Sequence, residues 1–394
     1  MMNVKKTRLN LKKNLTDDFA QYSRHFSRSI RSKSLFSQPL CRSKAKFVVF
    51  LLAFLCLEAA SAAANQKKSS GQNKTADYVF SVEPILSLKG GSLGEYVFVS
   101  GDDGEKHKLS YLDWQYKNVL LGGFNMQVKL KRIVLESHLA TDIRSSTGTM
   151  EDSDWLNKEI TGTDDDRYGI KTGFSSHDNF LEECRELSAK AGVSFSPLSF
   201  LTVIPFAALE YESLKFSAKD GTGWYGNYSQ GAYAEYADAE NRTVLSYSGT
   251  VISYRRKTYA FWAGSAFKMR LPAGFCLLSE LKIAPRIYTR NEDSHFITTS
   301  SDGTNYSATK NKNLYVDKCK DCFAGASATL GLEKEITPRF SLKLTGTFLY
   351  IKTIRGTTYE KTAASTSFKK STSSEGGSSE KSATISFSAL YKIY

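Results

Sequence analysis

The sequence predicts an all-β protein, a transmembrane antiparallel β-barrel of about ten strands with long extracellular loops and short periplasmic turns. Three observations carry that reading. Apolar and polar residues alternate with period two along many segments, sustained helical periodicity is scarce, and tight turns alternate with long polar connections. A closed barrel is required rather than an open sheet, because an unpaired strand edge in lipid leaves backbone groups without partners.

The first element is an export signal. "RSKAKFVVFLLAFLCLEAASAAANQ" has a basic lead, an apolar core from Phe47 to Leu57 and a small-residue run from Ala59 to Ala64. Cleavage is expected after Ala62, Ala63 or Ala64, and the apolar core is too short to span a membrane as a helix. The leader ahead of that core is longer than a usual basic n-region, so translation is expected to begin after Met1. Bulky Leu55 before Cys56 argues against a lipoprotein signal. The division is therefore leader and signal peptide over 1–64, a linker over 65–77, and a barrel over 78–394.

Charge supports the same division. The chain of 394 residues carries +13, but residues 1–64 hold 12 Lys/Arg against 3 Asp/Glu, leaving 41 against 37 for the rest. A nucleic-acid footprint is excluded, since the basic excess lies in the leader.

The strands follow in order. Leu112, Trp114 and Tyr116 alternate in "LDWQY", and Phe124, Met126, Val128 and Leu130 in "FNMQVKL". Leu342, Leu344, Phe348 and Tyr350 do so in "LKLTGTFLY". In "SATISFSALYKIY", Ala383, Ile385, Phe387, Ala389, Tyr391 and Ile393 share one face, opposite Ser382, Thr384, Ser386 and Ser388. Such segments suggest strands of about 8–13 residues, apolar toward lipid and polar toward the lumen. The terminal Tyr394 falls out of step with this face, so a bulge is expected near the end. "TPRF" (Thr337–Phe340) is a tight turn. "SSTGTMEDSDWLNKEITGTDDDRYG", "SAKDGTGWYGNYSQG" and "KKSTSSEGGSSEKS" read as long outer loops. A soluble β-sandwich also alternates, but its strands would be shorter and its loops more even in length.

Beyond the leader the cysteines are Cys184, Cys276, Cys319 and Cys322. Cys319 and Cys322 form "CKDC", which lacks the second pair or nearby histidine of a metal site; a local disulfide in an exposed loop is expected. No metal site is expected.

Two short pairs can carry chemistry. Asp152 and Asp154 lie two apart in "MEDSDWLN", and Asp293 and His295 lie two apart in "NEDSHF". On a strand, residues i and i+2 point to one face. Two close carboxyls resist joint ionisation and can orient a water. A histidine beside an aspartate is oriented and made more basic. Either pair alone reads more readily as solvated loop residues.

Together, the motifs resemble those of the omptins, ten-stranded outer-membrane proteases. "SYLDWQYKN" (Ser110–Asn118) is similar to the family's S-x-L-D-W strand, "MEDSDWLN" to its D-x-D-W-M-D loop and "NEDSHF" to its D-x-D-x-H segment, in the family's order and over roughly residues 80–394. The resemblance implies an endopeptidase whose catalytic residues are Asp152, Asp154, Asp293 and His295. His295, oriented by Asp293, would deprotonate a water held against the Asp152–Asp154 side, with no covalent nucleophile and no cofactor. It also implies a substrate pocket for basic side chains, in which Glu95 of "GEYVFV" matches one acidic position. Asn291 occupies the other, so the pocket is expected to lose one charge. The family's lipid A phosphate cluster has only Lys215 and Lys219 as loose counterparts, which leaves a requirement for lipopolysaccharide-like lipid open.

The expected setting is the outer membrane of a Gram-negative-type bacterium, the site facing outward. Expected partners are protein or peptide substrates, host proteins among them, and outer-membrane lipid, with the barrel standing as a monomer. The alternative is a non-catalytic barrel acting as an adhesin or surface-interaction protein. A porin is disfavoured, because side chains largely fill a barrel of about ten strands.

Overall fold

A computed structural model describes residues 78–101, 104–144, 147–155, 169–229 and 231–393. The expected leader over 1–64, the linker over 65–77 and the terminal Tyr394 lie outside the described residues. Fifteen strand segments form: β1 (Tyr78–Ser100), β2 (Lys106–Leu130), β3 (Ile133–Arg144), β4 (Thr147–Asp154), β5 (Gly173–Val193), β6 (Phe195–Leu198), β7 (Leu201–Gly226), β8 (Tyr228–Ser229), β9 (Ala232–Tyr233), β10 (Arg242–Arg270), β11 (Phe275–Ser300), β12 (Asn305–Asp321), β13 (Gly325–Thr337), β14 (Phe340–Lys361) and β15 (Lys369–Lys392).

Their pairings close on themselves. β1 pairs with β2, β2 with β3 and β4, and both of these with β5. β5 pairs with β7, β7 with β10 and β10 with β11. β11 pairs with β12 and β13, both pair with β14, and β14 pairs with β15, which returns to β1. β3 with β4, and β12 with β13, are each one interrupted stave, so the ring has ten positions. β6 is a short hairpin partner of β7, and β8 and β9 form a separate hairpin.

Alternation sets the faces. Leu86, Leu88, Leu209, Phe261, Leu281, Leu344, Ile385 and Phe387 are exposed on the outside, while Ser87, Lys89, Ala208, Ala260, Trp262, Ser382 and Ser388 are buried inside. The connections at Lys131–Arg132, Ser199–Phe200, Pro272–Gly274 and Pro338–Arg339 are short and lie at one end. At the other end lie Asp154 of β4, Gly226 of β7 and Lys361 of β14, the last residues of their strands.

Three expectations need correction. The strands exceed 8–13 residues: β1 has 23, β7 has 26 and β10 has 29. Pairing therefore continues into segments expected to be loops. Lys369–Ser382 lies entirely in β15 and Ser217–Gly226 in β7. The inward face of such a stretch is buried but built from small, polar or charged residues such as Gly376, Ser378, Glu380 and Ser382, so its sequence resembles a polar loop. Among the described residues the expected terminal bulge is also missing, because the β1–β15 register is constant from Ser92↔Lys381 to Ser81↔Lys392.

The interior is packed. Toward the long-loop end Trp114 stacks on Tyr254 and Phe216, with Leu93, Leu112, Tyr116 and Met150 around them. Below lies a charged layer. Lys89 Nζ pairs with Glu186 at 2.8 Å and with Glu212, and Arg256 pairs with Glu212 at 3.1 Å and with Glu380. Farther down, Lys190 bridges Glu136 at 2.5 Å and Glu280 at 3.0 Å, and Lys343 pairs with Glu83 at 2.8 Å.

Candidate functional site

β4 carries Met150, Asp152 and Asp154 on one face. Met150 is fully buried in the core beside Trp114, so the same alternation turns both aspartates into the barrel one and two steps nearer the long-loop end. β11 does the same with Asn291, Asp293 and His295, the first of which is 1% exposed. Both pairs sit on strands, and backbone pairing to neighbours on each side holds them in place.

His295 Nε2 lies 2.6 Å from Asp293 Oδ2, with the aspartate side chain 7% exposed and the imidazole 40% exposed. A proton on Nε2 satisfies that contact and leaves Nδ1 as the basic nitrogen. The Tyr315 ring meets the imidazole edge to face at 5.6 Å. Burial opposes charge on the imidazole, but the carboxylates of Asp293, Asp152 and Asp154 prevail and hold its pKa at about 9. The two sequence pairs therefore share one electrostatic field.

Across the opening, Ser110 Oγ donates to Asp152 Oδ1 at 3.2 Å. Burial raises the Asp152 carboxyl and Asp154 raises it further, while His295 pulls it down. Burial also raises Asp154, against the Ser110 hydroxyl and His295. Both carboxyls are therefore held above the usual range and resist joint ionisation. Tyr225 and Tyr247 join their hydroxyls at 3.1 Å nearby, and burial together with the aspartate charges pushes the Tyr247 phenol up to about 12.

Below the dyad, Glu95 is buried and accepts Trp114 Nε1 at 3.0 Å. Burial holds its carboxyl well above the usual range, and the charges of Asp293 and Asp317 add to the effect. Asn291 pairs in register with Asp317 of β12. Glu292 faces the other way, toward Arg290 Nε at 3.0 Å.

The omptin family model matches residues 77–393. The chain belongs to the omptin family. Among solved structures it is similar to the outer membrane protease OmpT of Escherichia coli, with a TM-score of 0.66 at 17% identity, over 82% of this chain and 100% of that one. That likeness shows the fold, a barrel. The toluene transporter TodX of P. putida, at 10% identity over 81% of this chain and 90% of its own, reaches a TM-score of only 0.26. A FadL homologue of Pseudomonas aeruginosa, at 8% identity over 81% and 91%, reaches 0.22. No curated protein is significantly similar in sequence.

In this omptin the structure gathers Asp152, Asp154, Asp293 and His295 around one opening, with Glu95 and Asn291 beneath. It also brings in three side chains that sequence reading passed over: Asp317, Tyr225 and Tyr247. For Asp317 the signal was legible in "YVDKC", where alternation turns a carboxylate inward between Tyr315 and Cys319. His177 is structural: it is buried, its Nε2 lies 2.8 Å from Ser175 Oγ, its Nδ1 meets the Asp220 carbonyl, and burial lowers its pKa.

The expected Cys319–Cys322 disulfide does not form; both thiols are free. Cys319 points into the barrel near the end of β12 and donates to the Gly376 carbonyl at 3.7 Å, whereas Cys322 lies past the strand, exposed, and accepts Arg286 Nη1 at 3.0 Å. Strand geometry sends the two side chains apart. Among the described residues no cluster of His, Cys, Asp and Glu is arranged to hold a metal ion.

Proposed function

We propose that this chain is an outer-membrane endopeptidase that hydrolyses peptide bonds near basic residues with a water activated by the Asp293–His295 dyad opposite the Asp152–Asp154 couple. The observation that carries the reading is the 2.6 Å Asp293–His295 contact on a strand face whose charge is felt by both aspartates of β4. Membership of the omptin family and the protease fold of its structural neighbour support hydrolysis in general.

His295 Nδ1 takes a proton from the water as its oxygen bonds to the scissile carbonyl carbon. Asp293 stabilises the resulting imidazolium, which returns the proton to the departing amine as the C–N bond breaks. The Asp152–Asp154 couple, holding one proton, can both accept from the water and donate toward the developing oxyanion. Serine and cysteine have no nucleophilic part in this scheme.

Strands of 21–29 residues exceed the roughly 9–11 needed to cross a bilayer. The outer apolar band lies nearer the short-turn end, which supports a site lifted above the membrane on the outer side. One outer surface supports a lipid partner. Tyr211, Tyr259 and Tyr288 are register neighbours on the outside, with ring centroids 5.1 Å and 6.0 Å apart. Two residues nearer the long loops on each strand, the rung runs Arg185, Ser213, Lys257, Arg290 and Lys318. Of the four cations on this rung Arg185 pairs with Glu183 at 3.2 Å and Arg290 with Glu292 at 3.0 Å, which leaves Lys257 and Lys318 above the aromatic girdle as the groups that support a phosphorylated outer-membrane lipid. Of the two lysines considered from sequence, Lys215 pairs with Glu182 and Lys219 lies over the Phe180 ring at 4.9 Å.

The test is to refold the protein with and without lipopolysaccharide and assay a peptide library, alongside His295→Ala and Asp293→Asn. Lipid-dependent cleavage that both substitutions abolish is expected. Cleavage surviving both sinks the mechanism, and a folded wild type that cuts nothing supports a binding role instead.

A further inference from the structure

The short-turn end of the barrel carries a charge that neither the site nor the outer rung of cations explains. Lys131 and Arg132 stand between β2 and β3, Arg270 before the β10–β11 turn, Lys334 and Arg339 about the β13–β14 turn, and Lys392 at the end of β15. Backbone bonds join these connections into one rim. Ser194 N–H donates to the Arg132 carbonyl at 2.7 Å, Arg270 N–H to the Phe200 carbonyl at 2.7 Å, and Lys392 N–H to the Arg339 carbonyl at 2.9 Å.

The carboxylates of this end do not offset that charge. Among the described residues Glu83 is taken by Lys343, Glu136 and Glu280 by Lys190, and Glu333 by Lys268. Glu335 is left as the exposed acidic group beside the rim. Lys334 Nζ donates to the Ala273 carbonyl and Lys392 Nζ to the Pro338 carbonyl, the latter at 3.2 Å. A neutral carbonyl orients an ammonium without cancelling its charge.

Apolar neighbours fix the depth of the rim. Leu130 and Ile133, register partners on either side of Lys131–Arg132, are both exposed, as are Phe200 and Leu271 beside Arg270 and Ile336 at the end of β13. The apolar band therefore reaches the turns themselves, and the cations lie at headgroup depth, where long Lys and Arg side chains meet phosphates. Lys131 also adopts φ 54° in a two-residue turn that favours Gly or Asn. An exposed lysine in that strained position contributes charge rather than core packing. A zwitterionic phospholipid brings its own ammonium with its phosphate, whereas phosphatidylglycerol brings the negative charge alone. Guanidinium forks match phosphate oxygens in pairs.

We infer that this rim is a binding surface for anionic phospholipid in the leaflet opposite the Asp293–His295 end, with Lys131, Arg132, Arg270 and Arg339 on the phosphates. It lies across the apolar band from the Lys257–Lys318 surface, and it does not depend on peptide hydrolysis.

First-shell lipid selectivity tests this. Spin-labelled phosphatidylglycerol and phosphatidylcholine are compared by electron paramagnetic resonance in phosphatidylcholine vesicles that hold the refolded full-length protein. Wild type is expected to favour phosphatidylglycerol about fivefold, the effect of one well-placed cation, and less at high salt. Combining Lys131→Gln, Arg132→Gln, Arg270→Gln and Arg339→Gln should bring the ratio close to one. Lys257→Gln with Lys318→Gln should keep most of it, and His295→Ala all of it, which separates this surface from the outer rung and from the peptidase. Heat-modified gel mobility reports barrel closure. Lys131→Gln with Arg132→Gln, expected to lower the ratio by itself, serves should the fourfold variant fail to fold. Equal association of the two lipids with wild type overturns the inference, as does a ratio that the folded rim variants retain. Loss of selectivity in the Lys257/Lys318 variant alone moves the lipid to the other surface and overturns it as well.

Discussion

His295 shows how one side chain acquires its chemistry from neighbours distant in sequence. Its ordinary pKa near 6.5 would leave it half neutral close to physiological pH, but three carboxylates hold it at about 9. Only the neutral imidazole accepts a proton, so kcat/KM is expected to rise with pH from neutrality through about 9. Asp293→Asn removes one negative neighbour, which should move that limb to lower pH and lower kcat by about 10²–10⁴; a pH–rate profile of both proteins checks this. The same shift has a stability consequence. The folded state binds this proton more tightly than the unfolded chain, so the contribution is fully present below about pH 6.5 and vanishes as pH passes about 9. Asp317 behaves differently: burial first, with Asp293 adding, raises its carboxyl to about 7, while the Thr358 hydroxyl opposes. The two thiols make a further residue-scale prediction. In the folded protein a maleimide should label Cys322 but not Cys319, and a reductant should leave gel mobility unchanged.

Each strand changes character along its length. β15 carries Ile385 and Phe387 outward in the lower part, where their exposure marks the apolar band, and Gly376 and Ser378 inward near the site. A charge on the outer face belongs in water, so Ile385→Lys should destabilise the barrel in a bilayer by about 2–4 kcal/mol. Urea titration of tryptophan fluorescence in lipid vesicles measures it, and a change near zero would place that rung outside the hydrocarbon. Period-two patterning made the lower parts of β2, β14 and β15 legible in the sequence. The upper parts of β7 and β15 were not legible, because Ser217–Gly226 and Lys369–Ser382 are mostly small, polar or charged on both faces and alternate in nothing hydropathy can detect. The site strands were readable for a different reason. Asp152 with Asp154, and Asp293 with His295, are spaced for a common face whether or not apolar residues flank them.

Across the whole molecule, the lumen is filled rather than open. Aromatic packing under the site, the Lys89–Glu212–Arg256–Glu380 layer and the Lys190 and Lys343 pairs occupy successive levels. Planar-bilayer recordings should show no steady conductance, and a stable open pore would contradict this packing. Arg256 anchors two buried carboxylates, so Arg256→Met leaves both without their guanidinium and should cost about 3–5 kcal/mol of unfolding free energy in urea. By itself the sequence determined an exported β-chain, the faces of its lipid-facing strands, and four chemistry-bearing residues in two pairs, because alternation and i, i+2 spacing are local properties of a strand. Only the tertiary structure decided which carboxyls share a field. Asp317 and Glu95 are separated by more than two hundred residues, and ring closure through β14, β15 and β1 brings them into one electrostatic field. Register between distant strands is set by the closure of the whole ring, which no stretch of the chain encodes alone.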